Sequence, residues 1–64
     1  MNNNIFARDL AVGQTFTYDG KGPYVATGTR SGAGITRVTY KVLGSNFEWE
    51  FFCKPLSTIT LIEN

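Results

Sequence analysis

The segment TGTRSGAGITR runs from Thr27 to Arg37 and combines three glycines with two arginines and no acidic residue. Glycines beside cations are typical of loops that hold phosphate, because backbone N–H groups can then approach the anion closely. The segment nevertheless lacks residues that the phosphate-binding loop and the dinucleotide-binding motif require. A phosphate-binding loop ends in Gly-Lys-Ser/Thr at the start of a helix, whereas GAGIT leads into a strand-like run. The dinucleotide motif requires a glycine where Arg37 stands. The segment is therefore predicted to be a mobile, locally basic connection between two strands, with a role in contact rather than chemistry.

Basic residues are concentrated in the middle of the chain, although the net charge is only +1. No aspartate or glutamate lies between residues 20 and 41. We therefore predict a noncatalytic module that contacts RNA or another single-stranded nucleic acid through a basic loop and strand face, with largely electrostatic affinity. Cations would contact phosphate, and a tyrosine would stack on a base. The predicted nucleic-acid-binding residues are Arg30, Arg37, Lys41, Lys21 and Tyr24.

Residues suited to catalysis or metal binding are scarce. Histidine, the commonest general base and metal ligand, is absent from the sequence. Cys53 is the only cysteine, so no intrachain disulfide can form, and its place in an aromatic run predicts a small buried side chain. Glu48 and Glu50 share a strand face and are expected to be solvated partners of Lys41 and its neighbours. We predict no enzymatic activity, no metal site and no cofactor.

Five runs rich in threonine, valine, isoleucine and aromatic residues are predicted to be the strands that position these side chains. They read QTFTYD, YVATGTR, ITRVTYKVL, NFEWEFFCK and STITLIE. Gly28 within the second run predicts a bulge. Before the strands, FARDLAVG is predicted to form one helical turn or a tight bend that ends at Gly13, either of which would tuck Leu10 and Val12 under the sheet. Residues 1–4 are expected to lack fixed structure, and residues 1–64 are expected to form a single domain.

The third and fourth runs predict a hairpin with one register. Gly44 in LGSN suits the first central position of a two-residue type II′ turn, which would pair Leu43 with Asn46. The resulting pairs are Val42–Phe47, Tyr40–Trp49 and Val38–Phe51 on the inner, apolar side, and Lys41–Glu48 and Thr39–Glu50 on the outer side. A slip by one residue would place both glutamates opposite apolar partners, so the pattern favours this register alone.

Five short antiparallel strands within 64 residues predict an all-β fold, a small, strongly bent five-stranded barrel of the SH3-like or Sm-like type. The tight LGSN turn leaves no room for the helix that oligonucleotide-binding barrels usually carry between their third and fourth strands. A chain of this size buries only about 60% of its unfolded surface, so a homo-oligomer is expected. The N-terminus lacks the apolar core of a signal peptide, and no apolar run has the length of a membrane span, which favours a cytoplasmic protein.

The segment DLAVGQTFTYDGKGPYVATG resembles the start of the N-terminal domain of elongation factor P and of its eukaryotic and archaeal relatives. The shared residues are Asp9-Leu10, Gly13, Tyr18-Asp19-Gly20 and Pro23-Tyr24-Val25. That domain is an SH3-like (KOW-type) barrel, so the resemblance implies the same fold and contact with RNA. The family carries a modified lysine in a Gly-Lys-Gly loop. The matching triplet here is Gly32-Ala33-Gly34, so the activity that depends on that lysine is not implied.

A second function remains open, in which the chain is a homo-oligomeric Sm-like module or a protein-interaction module without a nucleic-acid role. Phe52 favours it, because this residue falls on the outer side of its strand, opposite Arg37, where the pattern calls for a polar side chain. An exposed phenylalanine there predicts an interface, whereas a bulge near the strand end would turn the ring inward. A small accessory protein of a phage would fit this size.

Overall fold

A computed structural model describes residues 2–62, which form β-strands and one short 3₁₀ helix. The strands are β1 (Asn2–Phe6), β2 (Thr15–Tyr18), β3 (Lys21–Gly32), β4 (Ile35–Val42), β5 (Glu48–Cys53) and β6 (Thr58–Ile62), and the helix spans Ala7–Asp9. The all-β prediction is confirmed, and each predicted run contains a strand. The sheet has six strands instead of the five predicted, because β1 precedes the first predicted run.

All six strands belong to one antiparallel sheet in the order β1-β6-β2-β3-β4-β5. Neighbours in sequence from β2 to β5 are also neighbours in space, whereas β6 returns to lie between β1 and β2. The sheet is open, with β1 and β5 as its two edges. No helix within residues 2–62 is long and apolar enough to cross a membrane.

Strand β1 differs from the expectation that residues 1–4 lack fixed structure. It pairs with β6 along its whole length, from Asn2 opposite Ile62 to Phe6 opposite Thr58. Asparagine disfavours strands, but strand preference depends strongly on neighbours, and β6 supplies them here. The Thr60 hydroxyl also donates to Asn4 Oδ1 at 2.9 Å. The expectation is therefore wrong for residues 2–4, while residue 1 lies outside the described residues.

The segment Thr27–Arg37 is the end of a long β3–β4 hairpin, so its prediction as a mobile connection is wrong. The ladder continues as far as Gly32 opposite Ile35, which leaves only Ala33 and Gly34 in the turn. Both turn residues have positive φ, 50° and 76°, as a type I′ turn requires. The twist of such a turn matches that of the flanking strands, and the glycine content marks a tight reversal.

Strand β3 carries a bulge where Gly28 predicted one. The register shifts between Ala26, opposite Tyr40, and Gly28, opposite Thr39. A Cβ atom on residue 28 would lie 2.8 Å from Thr39 Oγ1, so the close approach of the two strands requires glycine at this position. Bulges increase the local twist of a strand pair, which helps this small sheet to curl.

The β4–β5 register is confirmed at every pair that the ladder contains, from Thr36 opposite Cys53 to Lys41 opposite Glu48. The turn differs from the predicted type II′ turn. The Ser45 N–H donates to the Val42 carbonyl at 2.9 Å, which places Gly44, with φ of 89°, third in the turn. The predicted Leu43–Asn46 and Val42–Phe47 pairs are not part of the ladder. The alternation of apolar and charged residues along the two strands therefore agrees with the observed register, although the turn differs from the one expected.

The sheet curls so that its concave face encloses a small core. Phe16 on β2 is fully buried and lies 6.4 Å from Phe51 on β5 between ring centroids, although β3 and β4 separate their strands. Leu10 is buried as predicted, whereas Val12 is 70% exposed because it lies in the turn closed by the Gln14 N–H and the Ala11 carbonyl. The buried apolar residues are Ala7, Leu10, Phe16, Ala26, Val38, Cys53 and Ile59.

Candidate binding sites on the two sheet faces

The predicted nucleic-acid-binding residues lie on two opposite faces of the sheet. Residues directly opposite each other in a ladder project to the same face, and successive residues along a strand project to opposite faces. Arg30 opposes Arg37, and Arg37 shares its face of β4 with Lys41. Tyr24 opposes Val42, which follows Lys41 and projects to the other face. The structure therefore brings Arg30 and Arg37 together on the convex face and leaves Tyr24 on the concave face.

The convex face carries an open pocket of about 250 Å³ between β3 and β4. Its lining residues are Gly28, Thr29, Arg30, Arg37 and Thr39. Thr39 packs closely against Gly28 at the floor of this pocket, and its hydroxyl donates to the Gly28 carbonyl at 3.2 Å. We call Arg30 and Arg37 the arginine pair. Like charges directly opposite each other destabilise a sheet, so this pair is a cost that the fold tolerates.

One carboxylate offsets the arginine pair in part. Arg37 Nε donates to Glu50 Oε2 at 2.6 Å, and both side chains are about half exposed. The terminal nitrogens of Arg37 make no further hydrogen bond within residues 2–62, and Arg30 makes no hydrogen bond or ion pair there. Lys41 lies opposite Glu48 as predicted, but the two side chains do not form an ion pair. Free donors on this face are therefore found at the arginine pair and at Lys41.

Aromatic rings line the concave face next to the core. Tyr18 stacks on Phe51 with a centroid distance of 4.5 Å, and Tyr24 contacts Tyr40 at 4.4 Å. Together with Asp19 and Lys21 these rings line an open pocket of about 210 Å³. Burial raises the pKa of Tyr40, and the neighbouring Tyr24 raises that pKa further. The pocket thus presents aromatic surface with one acidic and one basic side chain, so it attracts neither anions nor cations strongly.

Exposed apolar side chains cluster at the end of the β4–β5 hairpin. Val42 ends β4 and Leu43 follows it, while Phe47 directly precedes β5 and Trp49 is the second residue of β5. Their exposed fractions are 41%, 60%, 74% and 57%. We call these four residues the hairpin-tip patch. The residue pattern predicts that Val42, Phe47 and Trp49 lie on the inner, apolar side of the hairpin. Their exposure shows that residues 2–62 leave this end of the hairpin largely uncovered.

Phe52 is 58% exposed and lies opposite Arg37 on the convex face. The β4–β5 register runs without a shift to Cys53, so no bulge turns the Phe52 ring inward. Its role as an interface residue stays a prediction.

Cys53 is buried, as its place in the aromatic run predicts. Burial raises the pKa of its thiol, and a hydrogen bond with Ser57 opposes that rise. A thiol that is buried and protonated is a poor nucleophile. Within residues 2–62, no group of three or more cysteine, aspartate or glutamate side chains is placed to hold a metal ion.

No protein-family model, curated protein or solved structure matches this chain. Its function therefore has to be argued from the convex arginine pair, the concave aromatic pocket and the hairpin-tip patch.

Proposed function

We propose that the chain is a noncatalytic binding module of the small SH3-like or Sm-like barrel type, which associates with a second copy of itself through the hairpin-tip patch. The observation that carries this proposal is the exposure of Phe47 and Trp49, at 74% and 57%, at the end of a hairpin where Trp49 lies opposite Tyr40 on the side that continues the core. Apolar clusters of this kind mark interaction surfaces in small proteins.

The barrel assignment is supported by the curvature of the sheet. Strands in a flat sheet lie about 4.8 Å apart, so β2 and β5 would be separated by roughly 14 Å. The centroids of Tyr18 on β2 and Phe51 on β5 are 4.5 Å apart. A sheet curled enough to bring these rings together has the bend that a small barrel needs, although its edges β1 and β5 remain unpaired with each other.

The size of the hairpin-tip patch is suited to a second copy. At the observed exposures it leaves roughly 400 Å² of apolar side chain in water. Burial of this surface on two copies, together with the rims of the neighbouring tyrosines, would remove roughly 1,000 Å² from water, which is the lower limit for a specific interface. A two-fold axis would place Trp49 and Phe47 of one protomer against the same residues of its partner.

Charge also permits self-association. The hairpin-tip patch contains no carboxylate or ammonium group, and the net charge of +1 leaves little repulsion between copies. A small domain with few fully buried side chains gains stability when an interface extends its core.

Sedimentation equilibrium of the full chain tests this proposal. The wild type should dimerise, and Phe47→Lys and Leu43→Lys should each shift the equilibrium to monomer because they place a charge inside the interface. Phe52→Lys is the matched control, since Phe52 has a similar exposure on the opposite face. Trp49 is the only tryptophan, so its emission should shift to longer wavelength when the dimer dissociates on dilution.

A wild type that stays monomeric at high concentration would overturn self-association. A dimer that survives Phe47→Lys and Leu43→Lys but is lost in Phe52→Lys would overturn the hairpin-tip interface and assign it to the convex face.

Nucleic-acid binding is a second candidate, favoured by the convex arginine pair. The separation of Arg30 and Arg37 from Tyr24 and Lys21 means that a strand held at the arginine pair cannot stack on Tyr24 across the same face. Titration of labelled single-stranded RNA at two salt concentrations tests it, with Arg30→Ala and Tyr24→Ala as the variants. Loss in the arginine variant alone supports convex-face binding, and undetectable binding at low salt would exclude it.

A further inference from the structure

We propose that the arginine pair forms a site for a single phosphate group, and that the preferred ligand is a phosphate monoester dianion rather than a continuous nucleic-acid backbone. This inference concerns the convex face and does not depend on self-association at the hairpin-tip patch.

The first argument is the supply of donors. Arg30 and Arg37 are directly opposite each other and line the same open pocket of about 250 Å³. Arg37 uses Nε for Glu50, which leaves its two terminal nitrogens without a partner within residues 2–62, and Arg30 retains all of its donors. Two planar guanidinium groups that converge on one space match the oxygens of a phosphate group, which each can bind in a bidentate manner.

The second argument is the unbalanced charge. The arginine pair carries two positive charges, and within residues 2–62 Glu50 is the one carboxylate that contacts it. A bound dianion would relieve the repulsion between the two guanidinium groups, so ligand binding should raise stability. Glu50 competes with the ligand for Arg37, because its carboxylate lies beside the guanidinium that the phosphate would contact.

The third argument is that the pocket as a whole has room for a substituted phosphate. Gly28 has no side chain, and a Cβ atom there would come within 2.8 Å of Thr39 Oγ1. The Gly28 backbone and the Thr39 side chain therefore form a closely packed floor, and the open space of about 250 Å³ is bounded by this floor and by the two arginines. A tetrahedral anion occupies far less volume than this pocket offers, and the pocket stays open to a substituent on one phosphate oxygen.

The surrounding face explains why a single phosphate is favoured over a polyanion. Backbone binding requires a row of cations that follows successive phosphates. Along β5, the residues next to this pocket on the convex face are Glu48, Glu50 and Phe52, which offer two negative charges and an apolar ring. Lys41 is a further cation on this face, but it lies opposite Glu48, and the two glutamates and the phenylalanine of β5 interrupt a row of cations beyond the arginine pair.

Isothermal titration of the full chain with inorganic phosphate, phenyl phosphate and a single-stranded oligonucleotide tests the inference, with NMR detection of the arginine Nε–H signals. We expect phosphate and phenyl phosphate to bind saturably and to shift the Arg30 and Arg37 signals. Arg30→Ala should weaken phosphate binding at least tenfold, and Glu50→Gln should tighten it severalfold. Arg8→Ala is the matched control, because it removes the same charge at a distant position on the 3₁₀ helix.

Thermal unfolding provides a second measurement that does not depend on activity. Phosphate should raise the unfolding midpoint of the wild type and not that of Arg30→Ala, whereas sodium chloride at equal ionic strength should raise neither. Equal effects of phosphate on wild type, Arg30→Ala and Arg8→Ala would overturn the site and indicate nonspecific ion binding. The opposite result is that the oligonucleotide binds much more tightly than phenyl phosphate and loses that binding in Arg30→Ala. This result would overturn the monoester preference and assign the arginine pair to a nucleic-acid backbone.

Discussion

The rings of Tyr18 and Phe51 stack with their centroids 4.5 Å apart and their planes inclined by 18°, across a sheet in which β3 and β4 lie between their strands. Fully buried Phe16 lies next to this contact, 6.4 Å from Phe51. The contact closes the concave face over the core. Its loss should therefore affect the whole fold rather than one edge.

Phe51→Ala should lower the free energy of unfolding by about 2–4 kcal/mol, because the ring packs against the aromatic cluster and its removal leaves a cavity. Phe52→Ala is the control in the same strand, and its effect should stay within about 0.5 kcal/mol since that side chain faces solvent. Urea denaturation followed by Trp49 fluorescence measures both. Equal effects would show that the concave contact adds nothing to stability.

Gly28→Ala should destabilise the fold by about 1–3 kcal/mol, because its Cβ would meet Thr39 Oγ1 at 2.8 Å and the neighbouring backbone must shift. Gly32→Ala, in the same strand, places its Cβ in open space and should be neutral or slightly stabilising. Thermal unfolding of the two variants provides the comparison. A Gly32→Ala variant as unstable as Gly28→Ala would contradict the assigned role of the bulge.

The β3–β4 turn offers a stabilising substitution. Ala33 has a φ of 50°, where a side chain with Cβ is strained, so Ala33→Gly should raise the free energy of unfolding by about 0.5–1 kcal/mol. Gly34→Ala should lower it by a similar or larger amount, because Gly34 has a φ of 76°. Chemical denaturation measures the difference. Destabilisation by Ala33→Gly would argue against a type I′ turn.

Alkaline pH should destabilise the protein. Burial raises the pKa of Cys53 above the ordinary 9.0 and that of Tyr40 above the ordinary 10.0. A group with a higher pKa in the folded state holds its proton more tightly when folded, so its contribution is complete below the unfolded pKa and is lost as pH rises through the folded pKa. Stability should thus begin to fall near pH 9. Cys53→Ala should delay that fall to the range where Tyr40 titrates, and stability that rises through this range would contradict the assignment.

Thiol reactivity gives an independent check on the burial of Cys53. The folded protein should react slowly with a thiol-specific reagent at pH 8, and the rate should increase by orders of magnitude in denaturant. Equal rates in the folded and unfolded chain would contradict the burial of this residue.

Much of the sheet could be predicted from residue types because the alternation of apolar side chains and the placement of charged side chains favour the same register. In β4 and β5, apolar side chains alternate with charged ones, and only one register places Lys41 opposite Glu48 and Thr39 opposite Glu50. The structure has that register despite a different turn. Strand β1 could not be predicted in this way, since its asparagines carry no strand pattern and its order depends on hydrogen bonds from β6, distant in sequence.

The candidate sites were predicted less completely. Arg30 and Arg37 were identified, but their pairing across a ladder depends on the strand continuing through Ser31 and Gly32, which have low strand preference. Trp49 and Phe47 were expected to face inward because alternation shows which side a residue projects to and not whether anything covers that side. Their exposure shows that residues 2–62 place no second layer over the hairpin end.

The opposite placement of the arginine pair and the hairpin-tip patch has a consequence for valency. A dimer joined through the patch would leave both arginine pairs unobstructed, because the interface and the phosphate sites occupy different faces. A ligand that carries two phosphate groups at a matching spacing would then bind its second group at a high effective concentration. The same weak site, presented twice, would distinguish singly from doubly phosphorylated partners by avidity.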